Sequence, residues 1–323
     1  MYPRLTVVAA GPACTIQDSG RFGYLRYGVT PSGPMDWMAH RMANRAVRNP
    51  PGGGCIEAGP GGIVLRADVA PVRLGLAAPG FAALRDGRPV PACGRVTLRP
   101  GETLAILPGA AGVWAYVAVA GGFGLAEALG SVSTSLRARL GPFGGRGLRA
   151  GDRLRCRQRA SAHLPDAPLP ALPAGPGVIR FVPGPQAEAV TAESLDEFCA
   201  AAYAVAPRSD RMAMRLTGPR LTHSAGHDIV SDGIAMGAIQ VPGDGLPLVL
   251  MADRQPTGGY PKIGTVIRAD LPALAQTRTG HRVRFAMTGV AAAVEALRAA
   301  LLQVDALAAT KDGPGGTAGK AEV

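Results

Sequence analysis

The sequence predicts a mainly β protein of the α+β class, with two β-rich subdomains and a few helices. Three observations carry that reading. Short valine and leucine runs are cut at close intervals by 45 glycines and 29 prolines, the punctuation of many strands joined by turns. Hydrophobic residues make up 47% of the 323 and charged residues 18%, the balance of a chain with a large core rather than a disordered one. A proline-rich stretch then divides the chain. The expected boundaries are 1–159 for the N-terminal subdomain, 160–177 for a linker, 178–306 for the C-terminal subdomain and 307–323 for a disordered tail.

Residues 4–9 read as an opening strand, turned by Gly11-Pro12. Residues 15–23 read as a polar, glycine-punctuated loop whose Asp18 and Arg21 are candidate substrate contacts, against the plain alternative of a surface loop. Ser32 or Gly33 is expected to cap a helix with Pro34 at its first position. Met35, Met38, Ala39, Met42, Ala43 and Ala46 then fall on one buried face. Asp36, His40 and Asn44 form a polar stripe beside it. That stripe is either a solvated face or a set of contacts near a helix N-terminus able to attract an anion. Short strands follow around Ile63, Val72, Val96, Leu104 and 114–120. One turn phrase recurs before a strand, at 100–104, 150–154 and 279–283. Residues 131–152 carry Ser133, Thr134, Arg137, Arg139 and Arg146 among five glycines, a second candidate anion-facing surface. Beyond the linker come a strand at 178–182, a helix capped by Thr191 through Ala202, a strand after 209–212, a helical turn capped by Asp270 and an apolar helix at 291–302.

The densest chemistry lies in 240–267. Residues 246–252 read as a buried strand and 263–267 as the start of another. Between them stand Asp253, Arg254, Gln255, Thr257, Tyr260 and Lys262, interrupted by Gly258-Gly259 and Pro261. A turn needs glycine and proline for their backbone angles, not six hydrogen-bonding side chains in ten residues. The stretch, entered by Gln240, is therefore expected to hold a polar or anionic ligand. Of 34 lysines and arginines only Lys262, Lys311 and Lys320 are lysine, and the last two fall in the expected tail. A compact ammonium kept in so arginine-biased a chain suits a phosphate or carboxylate; the alternative is a loop lysine without a role.

Composition excludes other classes. The net charge of +11 is spread along the chain without the interleaved aromatics of a nucleic-acid groove, while remaining favourable to anionic substrates. Five scattered cysteines without Cys-x-x-Cys indicate reduced thiols. The opening residues lack a signal-peptide pattern, and no run approaches the roughly 20 apolar residues of a membrane helix, so the expectation is a cytoplasmic protein with no membrane partner. There is no Gly-x-x-x-x-Gly-Lys-Ser/Thr, Gly-x-Gly-x-x-Gly or Gly-x-Ser-x-Gly. His223 and His227 have helical metal-ligand spacing but surround Gly226, so no metal site is expected.

The run Thr15-Ile16-Gln17-Asp18-Ser19-Gly20-Arg21, with Gly28-Val29, 32–36, Ala43-Asn44 and Glu57, resembles the N-terminal signature of the allophanate hydrolase subunit 2 family. Those proteins are also described as the C subunit of 5-oxoprolinase, and are similar to the carboxyltransferase domain of urea carboxylase. The motifs 118–122, 131–134, 144–146, 209–212, 237–242 and 253–262 extend the resemblance to roughly residues 4–286; Pro256 departs from a common threonine. The resemblance implies a cyclophilin-like β-barrel architecture and a heteromer with a first-subunit (B-type) protein. It further implies ATP, with Mg²⁺, activating the amide of 5-oxoproline, and a lactam-hydrolase-like A-type protein that completes ring opening to glutamate. Within it, Lys262 and Arg254 are assigned to phosphate or carboxylate, and Asp253 to orienting a base or metal. Asp36 and Asn44 are assigned to the amide, Gln255, Thr257 and Tyr260 to further substrate contacts, and Gly258, Gly259 and Arg146 to the nucleotide. Two rival readings accompany it. One is biotin-dependent carboxyl transfer to urea or a related amide, with biotin on a separate carrier because Met212-Ala213-Met214-Arg215 lacks the acceptor lysine. The other is a regulatory module that binds a kinase or kinase inhibitor.

Overall fold

The computed structural model describes residues 2–157, 165–172 and 177–309. It is mainly β, as the sequence predicts. Two six-stranded sheets stack face to face, built from strands up to Ala167–Pro168, and a closed seven-stranded barrel follows from Val178–Pro183 onward. The first sheet runs Arg153–Arg155, Arg4–Ala10, Ile63–Ala67, Thr103–Leu107, Ala82–Arg85, Arg88–Val90. The second runs Ala167–Pro168, Cys93–Leu98, Val72–Ala77, Ala115–Val119, Cys55–Ala58, Thr15–Gln17. Leu5, Val7, Leu65, Leu74, Leu76, Val96 and Ile106 alternate inward and form the core between the sheets.

The outer face of the second sheet carries helix α1 (Trp37–Ala46). The approach is close: a Cβ on Gly75 would run into the Ala43 carbonyl, so only glycine admits the helix here. A second core starts under α1 and continues without a break into the barrel, joining Met35, Met42 and Tyr116 to Phe181, Tyr203, Ile263 and Phe285. The two β-rich halves are thus fused through shared apolar packing. Around the barrel lie α2 (Ala192–Ala200), capped by Thr191 as expected, α3 (Leu271–Ala275) and α4 (Val290–Ala309).

The recurring turn phrase holds. Gly101, Gly151 and Gly280 have φ of 87°, 89° and 83°, and each precedes a strand starting two residues later. Other expectations need correction. α1 is capped by Asp36, which accepts the Ala39 N–H at 2.9 Å, and not by Ser32 or Gly33. Residues 15–23 are a surface loop only in part, because Thr15–Gln17 is a fully buried strand, while 18–23 is loop with Ser19, Phe22 and Gly23 exposed. Asp270 occupies the cap position of α3 but spends its carboxylate on Arg180, at 2.7 and 2.9 Å. Within the expected linker, Ala167–Pro168 pairs with Gly94 and Arg95, and Leu169 is buried. The remainder of that stretch, 160–164 and 173–176, lies outside the described residues. α4 begins before residue 291 and runs past 302 into the expected tail, of which 310–323 lie outside the described residues.

Candidate functional site

The segment leading into α1 meets the barrel where the sandwich joins it. Thr30 Oγ1 donates to the Ala252 carbonyl at 3.3 Å, and Arg211 Nη2 donates to the Gly33 carbonyl at 2.8 Å. Three groups of residues then separate.

The first is a buried chain of hydrogen bonds across the junction. Arg211 donates to Asp253 through Nε (2.8 Å) and Nη2 (3.0 Å), and to Glu57 Oε1 through Nη1. Glu57 Oε2 accepts the Tyr116 hydroxyl (2.6 Å) and the Met35 N–H (2.9 Å). The Tyr116 oxygen accepts the Asp36 N–H (2.8 Å), and Asp36 Oδ2 accepts Gln276 Nε2 (2.9 Å). Burial opposes the charge on Arg211, but Asp253 and then Glu57 outweigh it and raise the guanidinium's pKa. Burial raises the Glu57 and Asp36 carboxyls, with Arg211 the leading opposing influence on Glu57 and the Ala39 N–H on Asp36. Asp253 and Asp36 are therefore committed to holding the halves together. With Asp36 as its cap, the N-terminus of α1 already carries a carboxylate and is not an anion site. Asn44, the third residue of the stripe, donates to the Gly53 carbonyl at 2.8 Å and accepts from Asn49.

The second group is at the barrel mouth. Lys262 begins a barrel strand opposite Gln240, and Asp232 pairs across a short ladder with Gly258. Lys262 is buried, and its Nζ meets Asp232 Oδ2 at 3.1 Å. Asp232 is mostly exposed, and its pKa is lowered first by Lys262 and then by the Gly233 N–H. Gln255 Oε1 is buried with no hydrogen-bond partner. Gly258 lies between the glutamines: a Cβ there would sit 2.7 Å from Ile234 Cδ1, 3.1 Å from Gln240 Nε2 and 3.5 Å from Gln255 Nε2. A Cβ on Gly259 would come within 3.1 Å of the Ile229 carbonyl. Thr257 and Tyr260 are exposed on the same loop.

Arg254 belongs to the third group. It donates through Nε to the Ile234 carbonyl (2.9 Å) and lines a cavity of about 720 Å³ beside α4 that Lys262 does not line. Two other candidates sit elsewhere. Arg146 is held bidentately by Asp152 at 2.7 Å. Asp18 accepts the Ser131 and Ser133 hydroxyls at 2.6 Å and the Gly20 and Val132 N–H groups at 2.8 Å. Burial raises its pKa, but these bonds outweigh that and lower it. Arg21 is buried against the Ser133 carbonyl. Sequence reasoning missed Arg211, Tyr116 and Gln276 as site residues. Only the family motif 209–212 hinted at Arg211; nothing local marks the other two.

Residues 27–287 match the family described as carboxyltransferase domain, subdomain A and B. The chain belongs to that family. It is similar to the 5-oxoprolinase C subunit of Haemophilus influenzae, with 38% identity over 84% of this chain and 87% of that protein. The protein of the same name from Escherichia coli is 32% identical over 90% of this chain and 94% of its own length. Among solved structures, the Kluyveromyces lactis urea carboxylase superposes with a TM-score of 0.84 at 26% identity over 95% of this chain. This chain spans only 29% of that larger enzyme. The carboxyltransferase-family match ends at residue 287, before α4 begins.

Proposed function

We propose that this chain is the C subunit of an ATP-dependent 5-oxoprolinase complex, acting with its A-type and B-type partner proteins, and that Lys262 at the barrel mouth is its substrate-facing cation. The relatives named above support the role within such a complex. The observation that carries the site is a buried ammonium whose ion-pair partner, Asp232, stands mostly in solvent. A substrate carboxylate or a developing oxyanion displaces Asp232 at little cost, because Asp232 is returned to solvent while the Lys262 side chain, only 6% exposed, stays in need of an anion. A lactam offers an N–H donor beside its carbonyl, and Gln255 Oε1 is the buried acceptor left open for it. Gly258 lets its strand pass close to both glutamines, since a Cβ there would sit 3.1 Å from Gln240 Nε2 and 3.5 Å from Gln255 Nε2.

No nucleotide contact is proposed for this chain's own described residues. Among them no group of three or more His, Cys, Asp or Glu could hold a metal ion, Arg146 is paired with Asp152, and α1 is capped by Asp36. ATP dependence is accordingly a property proposed for the complex and not for this chain alone. The urea carboxylase likeness favours a second reading, biotin-dependent carboxyl transfer to urea or a related amide, in which the same lysine would face the amide oxygen. Reconstitution with the A-type and B-type proteins separates the two. ATP-dependent glutamate formation from 5-oxoproline that requires this chain supports the first. Its absence, with carboxylation of urea by a carboxylated biotin carrier, supports the second.

A further inference from the structure

Helix α4, α1 and the rim of the barrel border an open cavity of about 720 Å³ that Arg254 lines and that Lys262, Gln240 and Gln255 do not. Trp37, Met236, Ile267, Leu271, Leu297 and Leu301 form its apolar walls, and its volume is that of a small-molecule site. α4 is pinned in place as one wall: Asp305 accepts Arg41 Nε and Nη2 at 2.8 and 2.6 Å, and Arg45 Nε at 3.1 Å, all from α1.

Three polar groups interrupt the walls. Arg254 is 7% exposed, and its hydrogen bonds go only to backbone carbonyls, Nε to Ile234 and Nη1 to Met251 at 3.4 Å. Its Nη2 is uncommitted, and the adjacent Asp253 is spent on Arg211. Ser32 Oγ and His40 Nε2 are both buried without a hydrogen-bond partner. Ser32 holds φ at 56°, a left-handed conformation that a residue other than glycine adopts at a cost. Burial pushes the His40 imidazole down to about 4, so the ring is neutral near pH 7 and adds hydrogen bonding without charge. A buried guanidinium beside an apolar cavity, with its one neighbouring carboxylate already bonded by Arg211, is an expensive arrangement that a ligand's negative charge relieves.

We propose that this cavity is a second ligand site, distinct from the barrel mouth, for a small carboxylate with an apolar body. The carboxylate sits on Arg254 Nη2, the body lies along α4, and Ser32 and His40 complete the polar end. The inference does not rest on the 5-oxoprolinase reading. Titration calorimetry on the full chain with hexanoate, 1-hexanol and 5-oxoproline tests it. Saturable one-to-one binding of hexanoate is expected, with no binding of 1-hexanol and no competition from 5-oxoproline. Arg254→Gln should weaken hexanoate about tenfold or more, since a hydrogen bond to a charged group is lost. Ala293→Trp, which fills the cavity from α4, should abolish hexanoate binding while the reconstituted complex keeps its turnover. If circular dichroism shows that variant unfolded, Leu297→Phe replaces it. Absence of hexanoate binding, unchanged binding in a folded cavity-filled variant, or competition by 5-oxoproline would each overturn the proposal.

Discussion

Replacing Arg211 with methionine probes the joint between sandwich and barrel. The substitution keeps the unbranched apolar stem, removes the guanidinium, and leaves two carboxylates, Glu57 fully buried and Asp253 with an 11% exposed side chain, without their shared cation. Removing one partner of a buried ion pair typically costs about 3–5 kcal/mol, because the remaining charge is stranded away from water. That is a large fraction of the roughly 5–15 kcal/mol by which domains are stable. Glu57→Gln is milder, about 1–3 kcal/mol, since Arg211 keeps Asp253 and the amide oxygen still accepts from Tyr116 or Met35. The double variant should be more stable than the sum of the singles implies, by about 1–3 kcal/mol, because Glu57 is no longer a stranded charge. Urea denaturation followed by far-ultraviolet circular dichroism supplies all three values. An Arg211→Met protein within about 1 kcal/mol of the parent would refute the view that this network holds the halves together.

Three further outcomes follow from the same geometry. The folded His40 pKa of about 4 lies below the 6.5 of an unfolded histidine, so the unfolded state takes up a proton first as the solution is acidified. Stability should fall between pH 6.5 and 4 by up to about 3 kcal/mol, and His40→Gln should flatten that slope in urea titrations; an unchanged slope would contradict it. Arg41 and Arg45 hold Asp305 down to about 2 against an ordinary 3.8, so its contribution is present above pH 3.8 and is lost as pH falls towards 2. After allowance for a side chain 32% exposed, Asp305→Asn should cost about 1 kcal/mol at pH 7 and hasten proteolysis within α4. Gly258→Ala should lower turnover about tenfold or more by displacing Gln240, while the thermal midpoint moves by only a few degrees; undiminished turnover would show that the close approach is not needed.

What the sequence disclosed is what depends on neighbours in the chain. Strand positions, the Thr191 cap and the three glycine turns follow from local patterns, and the structure has them all. The errors arise where distant residues satisfy local polar groups. Residues 15–17 look like loop because they are polar, yet Gln17 is buried against Thr15 and the Thr134 carbonyl, the latter far away along the chain. The start of α1 is fixed by Tyr116 and Glu57, which take the Asp36 and Met35 N–H groups, so Pro34 misleads as a first helical residue. The central stretch was legible as a polar cluster but not as three separate sets. Whether Asp253, Arg254 and Lys262 share a ligand depends on which way each side chain leaves the backbone, and spacing along a turn does not encode that.

Lys262 is the residue on which the proposed function stands. The most direct measurement is glutamate formation from 5-oxoproline by the reconstituted complex, with this chain either unaltered or carrying Lys262→Ala. Strict dependence on ATP and on this chain is expected, with loss of turnover in the variant while its thermal transition stays nearly unchanged. Full activity from the Lys262→Ala complex would contradict that role.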